Sequence, residues 1–254
     1  MKNIDHVETQ VEKGPLRRVA IKGSLTTLFA LALVNARPAS AVLSADSKEK
    51  TEPQLTGTSE LMDRVAITDV IMRERWSRET HNPEVATSCF IPDAWIEVSW
   101  FRGTATQFIE SGKRPAAPDT VNFDSMSTPV IWIQEDRAIS ETSCAVHTVL
   151  NLDGTEVINI SYTRLLWRVQ RLKGEWLIAG LRSIYIRDTL QTCGPNQELK
   201  LDKTKLAGFR ASYRYLSYVL MANGRPAYDD LPGVDRPESV EEVRLNERQW
   251  LKQA

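Results

Sequence analysis

From Thr58 to Leu190 the chain switches between two hydrophobic periods. In "SELMDRVAITDVIMRERWSRET", Leu61, Val65, Thr68 or Asp69, and Met72 recur at helical spacing, and Trp76 follows one turn on. Thr58 or Ser59 stands where a cap belongs, so a first helix is predicted. "NPEVATSCF" predicts a second, short helix, with Asn82 as cap and Pro83 at its first position. "AWIEVSWF" reads as a strand, "GTATQFIESGKR" as a third helix and "PAAPDTVNFDSMST" as a loop. Long strands follow: "PVIWIQ" joined through "ED" to "RAISETSCAVHTVLNL", then "TEVINISYTRLLWRVQRL", then "EWLIAGLRSIYIRDTL". Asp153-Gly154 and Lys173-Gly174 are hairpin signals between them.

Helices first and a meander afterwards predict an α+β domain. Its strongly curved antiparallel sheet, roofed by the N-terminal helices, forms a cone that encloses one small-molecule pocket. A C-terminal helical extension over residues 191–254 follows. Leu206, Phe209, Tyr213, Leu216 and Leu220 form an apolar stripe on a helix ending at Gly224, and Pro237 opens a final helix. That stripe suits docking on the core domain or on a partner subunit.

The start of the chain has a different character. "GPLRRVAIKGSLTTLFALALVNARPASA" carries paired arginines, an apolar run from Leu25 to Val34, and the small-x-small site Ala39-Ser40-Ala41. This order predicts a secretory signal peptide over residues 1–41, similar to the bacterial twin-arginine type. The apolar run is about half of the ~20 residues that span a bilayer, so no membrane anchor is expected after its removal. Residues 42–58 read as a polar linker and 59–190 as the cone domain. The expected location is periplasmic or secreted, or cytoplasmic if the N-terminal segment is not cleaved.

A net charge of −1 provides no field to attract nucleic acid, and basic residues are not interleaved with aromatics. The cysteines Cys89, Cys144 and Cys193 form no CxxC, and no cysteine–histidine cluster has zinc spacing. They read as small core residues and a turn residue, with a disulfide between two of them as the alternative. No GxGxxG, P-loop or HExxH is present, so neither cofactor nor metal is expected.

Three stretches in order carry a resemblance: "CFIPDAWIEVSWFRGTATQFIESGKR", "EDRAISETSCAVH" and "SYTRLLWRVQRLKGEWLIAGLRSIYIRDTL". Over about residues 60–190 the chain resembles the SnoaL-like branch of the nuclear transport factor 2 superfamily. The resemblance implies the conical fold and a dry pocket in which a buried acid or base works beside an enolisable carbonyl. It includes scytalone dehydratase, steroid Δ-isomerase, polyketide cyclases and members without catalysis. In dehydratase-like members a first-helix tyrosine and aspartate act with strand histidines. The strand histidine matches His147, the second histidine aligns with Asp124, the aspartate with Glu79, the tyrosine with Glu74, and a last-strand arginine with Arg182. The tyrosine and one histidine are thus replaced, which departs from the full dehydratase set.

Each candidate has two readings. His147 shares a mixed strand face with Ile139, Glu141, Ser143, Ala145 and Val149, so it is either a packed polar side chain or a neutral general base. Asp124 is a solvated turn residue or an acid facing His147, and Glu79 a helix-end carboxylate or the acid partner. Arg182 needs a counter-charge or clamps a substrate carboxylate, and Arg164, also within an apolar strand, is the other cation that could do so. Tyr162 is core or a donor to an enolate. Trp100 and Trp132, with Trp95, Phe101 and Trp167, line an apolar cavity or simply fill the core or a dimer face. Two functions follow as expectations. One is a cofactor-independent lyase or isomerase acting on a small hydrophobic carbonyl compound; the other is a non-catalytic exported module that binds a ligand or dimerises. A homo-oligomer is expected in either case.

Overall fold

The computed structural model describes residues 57–112 and 120–253. The expected signal peptide, and the linker up to residue 56, lie outside the described residues. Among the described residues no helix is long and apolar enough to cross a membrane.

Helices α1 (Thr58–Glu79) and α2 (Pro83–Ser88) precede strands β1 (Phe90–Val98) and β2 (Phe101–Thr104), followed by α3 (Ala105–Gly112). Strands β3 (Val121–Met126), β4 (Val130–Gln134), β5 (Arg137–Leu152), β6 (Thr155–Leu172) and β7 (Glu175–Thr192) complete one seven-stranded sheet. Its order is β2-β1-β7-β6-β5-β3, with β4 also on β5. The sheet is open and antiparallel except for β1, which runs parallel to β7.

Long strands of this kind must bend to cover a core. Register shifts at Tyr162/Thr163 and Arg168/Val169 supply irregularities that curve β6 against β7. The turns Asp153-Gly154 and Lys173-Gly174 have positive φ at both residues, which matches strand twist in tight hairpins.

Alternation then divides the sheet into two faces. Ala138 and Cys144 of β5 and Leu165, Trp167 and Val169 of β6 join Ile67, Val70 and Ile71 of α1 in the main core. This is the inner face. On the outer face Leu166 and Ile184 pack with Val243 of α6 (Pro237–Lys252).

The structure corrects three readings of the pattern. The segment taken as a loop contains β3, whose residues Val121 to Met126 pair in register with Val149 to Cys144. Its lack of a β-branched run hid a strand that a long neighbour templates. The α1 stripe Leu61, Val65, Met72 and Trp76 is exposed, and Ile67, Val70, Ile71, Glu74, Arg75 and Ser77 face inward. The expected helix through Gly224 breaks at Gly208 into α4 (Lys203–Ala207), a 3₁₀ turn (Ala211–Tyr213) and α5 (Arg214–Ala222). Its apolar side still docks on the domain: Val219 packs with Leu150, Leu152 and Val157. All three cysteines are free, so no disulfide joins them.

Candidate functional site

The inner side of α1 is apolar for little more than one turn and then becomes charged. Ile67, Val70 and Ile71 are followed by Glu74, 0% exposed, and Arg75, 7% exposed. Ions this deep are tolerated only when paired. Arg75 Nε donates to Glu74 Oε2 at 2.7 Å, and its Nη1 donates to Asp124 Oδ2 at 3.1 Å. Burial opposes the charge on Arg75, but Glu74 and Asp124 outweigh it and hold its pKa above the ordinary value. Asp124 comes from β3, and Glu79 Oε1 accepts its backbone N–H at 2.7 Å, which ties β3 to the end of α1.

The sheet beneath contributes a polar floor. The Arg75 guanidinium lies 5.6 Å from the Trp167 ring centre. Trp167 pairs across the ladder with Ser140, and Thr142 and Cys144 follow on the same face of β5. Glu74 Oε1, Arg75 Nη2, Ser140 Oγ, Thr142 Oγ1 and Trp167 Nε1 are buried without a protein hydrogen-bond partner. In folded proteins such groups are satisfied by ordered water or by a bound molecule. Burial, reinforced by Asp124, pushes the Cys144 thiol up to about 12, which removes it as a nucleophile.

One turn beyond Arg75, Arg78 lays its guanidinium 4.2 Å from the Phe108 ring centre. Trp100 stacks on the same Phe108 at 5.5 Å. Burial, then repulsion from Arg75, brings the Arg78 pKa down to about 10.

The residues singled out in the sequence divide between the two faces. Asp124, Glu79 and Trp100 belong to the inner cluster or its rim. His147 pairs with Phe123 in the ladder, one residue out of phase with Asp124, and stacks on its ring at 4.4 Å and 7°. It therefore occupies the outer face, where its Nδ1 has no protein partner, and does not meet Asp124. Tyr162, opposite Ala145, and Trp132, opposite Ile139, share that outer face. Arg182 is also outside, with Nε 3.2 Å from Glu97 and Nη1 3.9 Å from Glu247 of α6. Arg164 pairs with Glu141 at 3.3 Å. Both of these arginines thus have carboxylate partners on the outer face.

Sequence reasoning missed Arg75 and gave Glu74 no role. The available signal was an apolar face, Ile67-Val70-Ile71, continued at helical spacing by a charged pair. Among the described residues no group of three or more His, Cys, Asp or Glu is placed to hold a metal ion.

With this geometry, residues 59–182 match the family profile described as "SnoaL-like domain". Solved structures similar to this chain include a candidate scytalone dehydratase from Novosphingobium aromaticivorans. It is 15% identical, with 56% of this chain and 98% of that one covered and a TM-score of 0.44. A type 3 hexachlorocyclohexane dehydrochlorinase from Novosphingobium barchaimii is 13% identical, with 56% and 97% covered and a TM-score of 0.43. No curated protein matches the sequence.

Proposed function

Residues 59–182 constitute a SnoaL-like domain, and from that premise we propose that the inner face of its sheet is a small-molecule site for cofactor-independent acid–base chemistry. The substrate is a hydrophobic carbonyl compound. The observation that carries this reading is Glu74, a fully buried carboxylate with one oxygen tied to Arg75 and the other without a protein partner.

Glu74 Oε1 takes a proton from the carbon next to the carbonyl. The oxygen that becomes negative is stabilised by donors fixed before the reaction: Trp167 Nε1–H, Thr142 Oγ–H or Arg75 Nη2–H. The protonated Glu74 then returns the proton to a second carbon, which isomerises the substrate. If a hydroxyl leaves from the neighbouring carbon, the same proton goes to it and water departs. Arg75 and Asp124 position Glu74, and Glu79 positions Asp124. His147 has no part in this scheme.

The second reading is a ligand-binding module without turnover. It is favoured by the lack of a histidine among the described residues on the inner face, His81 being exposed at a helix end.

A panel of β-hydroxy ketones and enones separates the two. Glu74→Gln should lower kcat/KM by about 100-fold or more, the usual scale for a lost acid–base group, while His147→Ala stays within about threefold of wild type. Binding without turnover by wild type supports the second reading. Loss of activity in His147→Ala with Glu74→Gln unaffected would overturn the assignment.

A further inference from the structure

We propose that Arg78 and the unpartnered Nη2 of Arg75 form an anion subsite that takes the carboxylate of a small organic acid, making the natural ligand an acid with a nearby carbonyl. This inference rests on the inner face being the site.

Arg78 lies three residues beyond Arg75, so both project from one side of α1. Arg75 is nine-tenths buried, and two of its three nitrogens are occupied: Nε by Glu74 and Nη1 by Asp124. Its third, Nη2, is buried without a protein partner. Arg78 has no ion pair among the described residues, although its neighbourhood is ionic. The charges that act on it are Arg75, Glu74, Asp124 and Glu79. Glu74 and Asp124 are bonded to Arg75, and Glu79 Oε1 is bonded to the Asp124 N–H. What Arg78 does touch is the face of Phe108, which holds the guanidinium plane without using its N–H donors.

Two guanidinium groups with free donors side by side repel each other, and an anion between them removes the repulsion. A carboxylate suits the unpartnered N–H edges, since two oxygens match the planar fork in a bidentate pair. Phe108, with Trp100 stacked on it, gives the Arg78 guanidinium an aromatic surface, so the rest of the acid is apolar or aromatic. Bound there, an acid brings its α or β carbon toward Glu74.

Calorimetric titration with trans-cinnamate and its uncharged amide tests this on the full chain at pH 7. Cinnamate carries no enolisable hydrogen, so its binding is independent of turnover. Wild type should bind cinnamate at least tenfold more tightly than the amide. Arg78→Gln should weaken cinnamate about tenfold and leave the amide within threefold, and Arg78→Lys should recover part of the loss. Circular dichroism of each variant shows whether the fold is kept. Equal affinity for acid and amide, cinnamate binding indifferent to Arg78→Gln, or no binding of either probe would each overturn the subsite. The two proposals fail separately. Arg78-dependent cinnamate binding without turnover of any β-hydroxy ketone leaves the subsite and removes the chemistry. Glu74-dependent turnover with Arg78-indifferent binding does the reverse.

Discussion

Arg75 holds two carboxylates in a place from which water is largely excluded, and it is the side chain on which the inner cluster depends. Replacing it by methionine keeps much of its volume but leaves Glu74, fully buried, without its bonded counter-charge. Breaking a buried ion pair from one side costs roughly 3–5 kcal/mol. Urea unfolding of Arg75→Met should show a loss of that size, and adding Glu74→Gln should return part of it. A loss below about 1 kcal/mol would mean that the three groups are not coupled. At this scale the sequence was only half legible. Asp124 and Glu79 were named as candidates, and the structure brings them together with each other, although not with His147. Strand parity decides the face of His147, and parity could not be oriented until Cys144 and Val146 were seen to face the helices.

Elements were more legible than residues where local chemistry dominates. Asn82 caps α2 by accepting from Val85 N–H, Pro83 and Pro237 open their helices, and the Asp-Gly and Lys-Gly turns fall where the hairpin signals put them. Elements set by long-range partners were misread. Strand β3 exists because β5 offers it a ladder, and α4 and α5 are separated at Gly208 where one stripe had suggested one helix. The docking of α5 relies on Asp188, which is buried at the end of β7 and accepts the Leu216 N–H at 2.7 Å. Burial raises its pKa, partly offset by the Leu216 and Tyr215 N–H groups. A carboxyl whose folded pKa lies above its unfolded value contributes stability below the unfolded value, and loses it as pH rises through the folded one. Wild type should therefore lose stability over the interval that starts near the ordinary aspartate value of 3.8 and ends above the raised folded value. Asp188→Asn keeps an acceptor for the Leu216 N–H and should flatten that slope in Tm against pH. Asp188→Ala should cost about 1–3 kcal/mol through the unpaired donors. An unchanged slope in Asp188→Asn would show that another group titrates.

On the scale of the whole molecule the sheet acts as a partition. The α+β order, the hairpins and the cone were readable because they follow from the succession of helical and strand periods. Which side carries the buried polar cluster was not readable, because both faces of β5 mix polar and apolar residues. The structure gives the two sides different company. Outside, α6 lays Glu247 between Arg168 and Arg182 and rests Val243 on Leu166 and Ile184, so that face is engaged in packing over much of its length. Inside, the main core surrounds a charged group with several polar atoms unsatisfied by the protein. Buried polar groups in that state are expensive unless something polar visits them.

The central claim, that the inner face beneath α1 is the working site, is tested most directly by the position of a bound ketone. Crystals of Glu74→Gln soaked with the best substrate of the panel should show its carbonyl oxygen within hydrogen-bond distance of Trp167 Nε1, Thr142 Oγ1 or Arg75 Nη2. Density for the ketone against His147, Phe123 and Tyr162 on the outer face would contradict it.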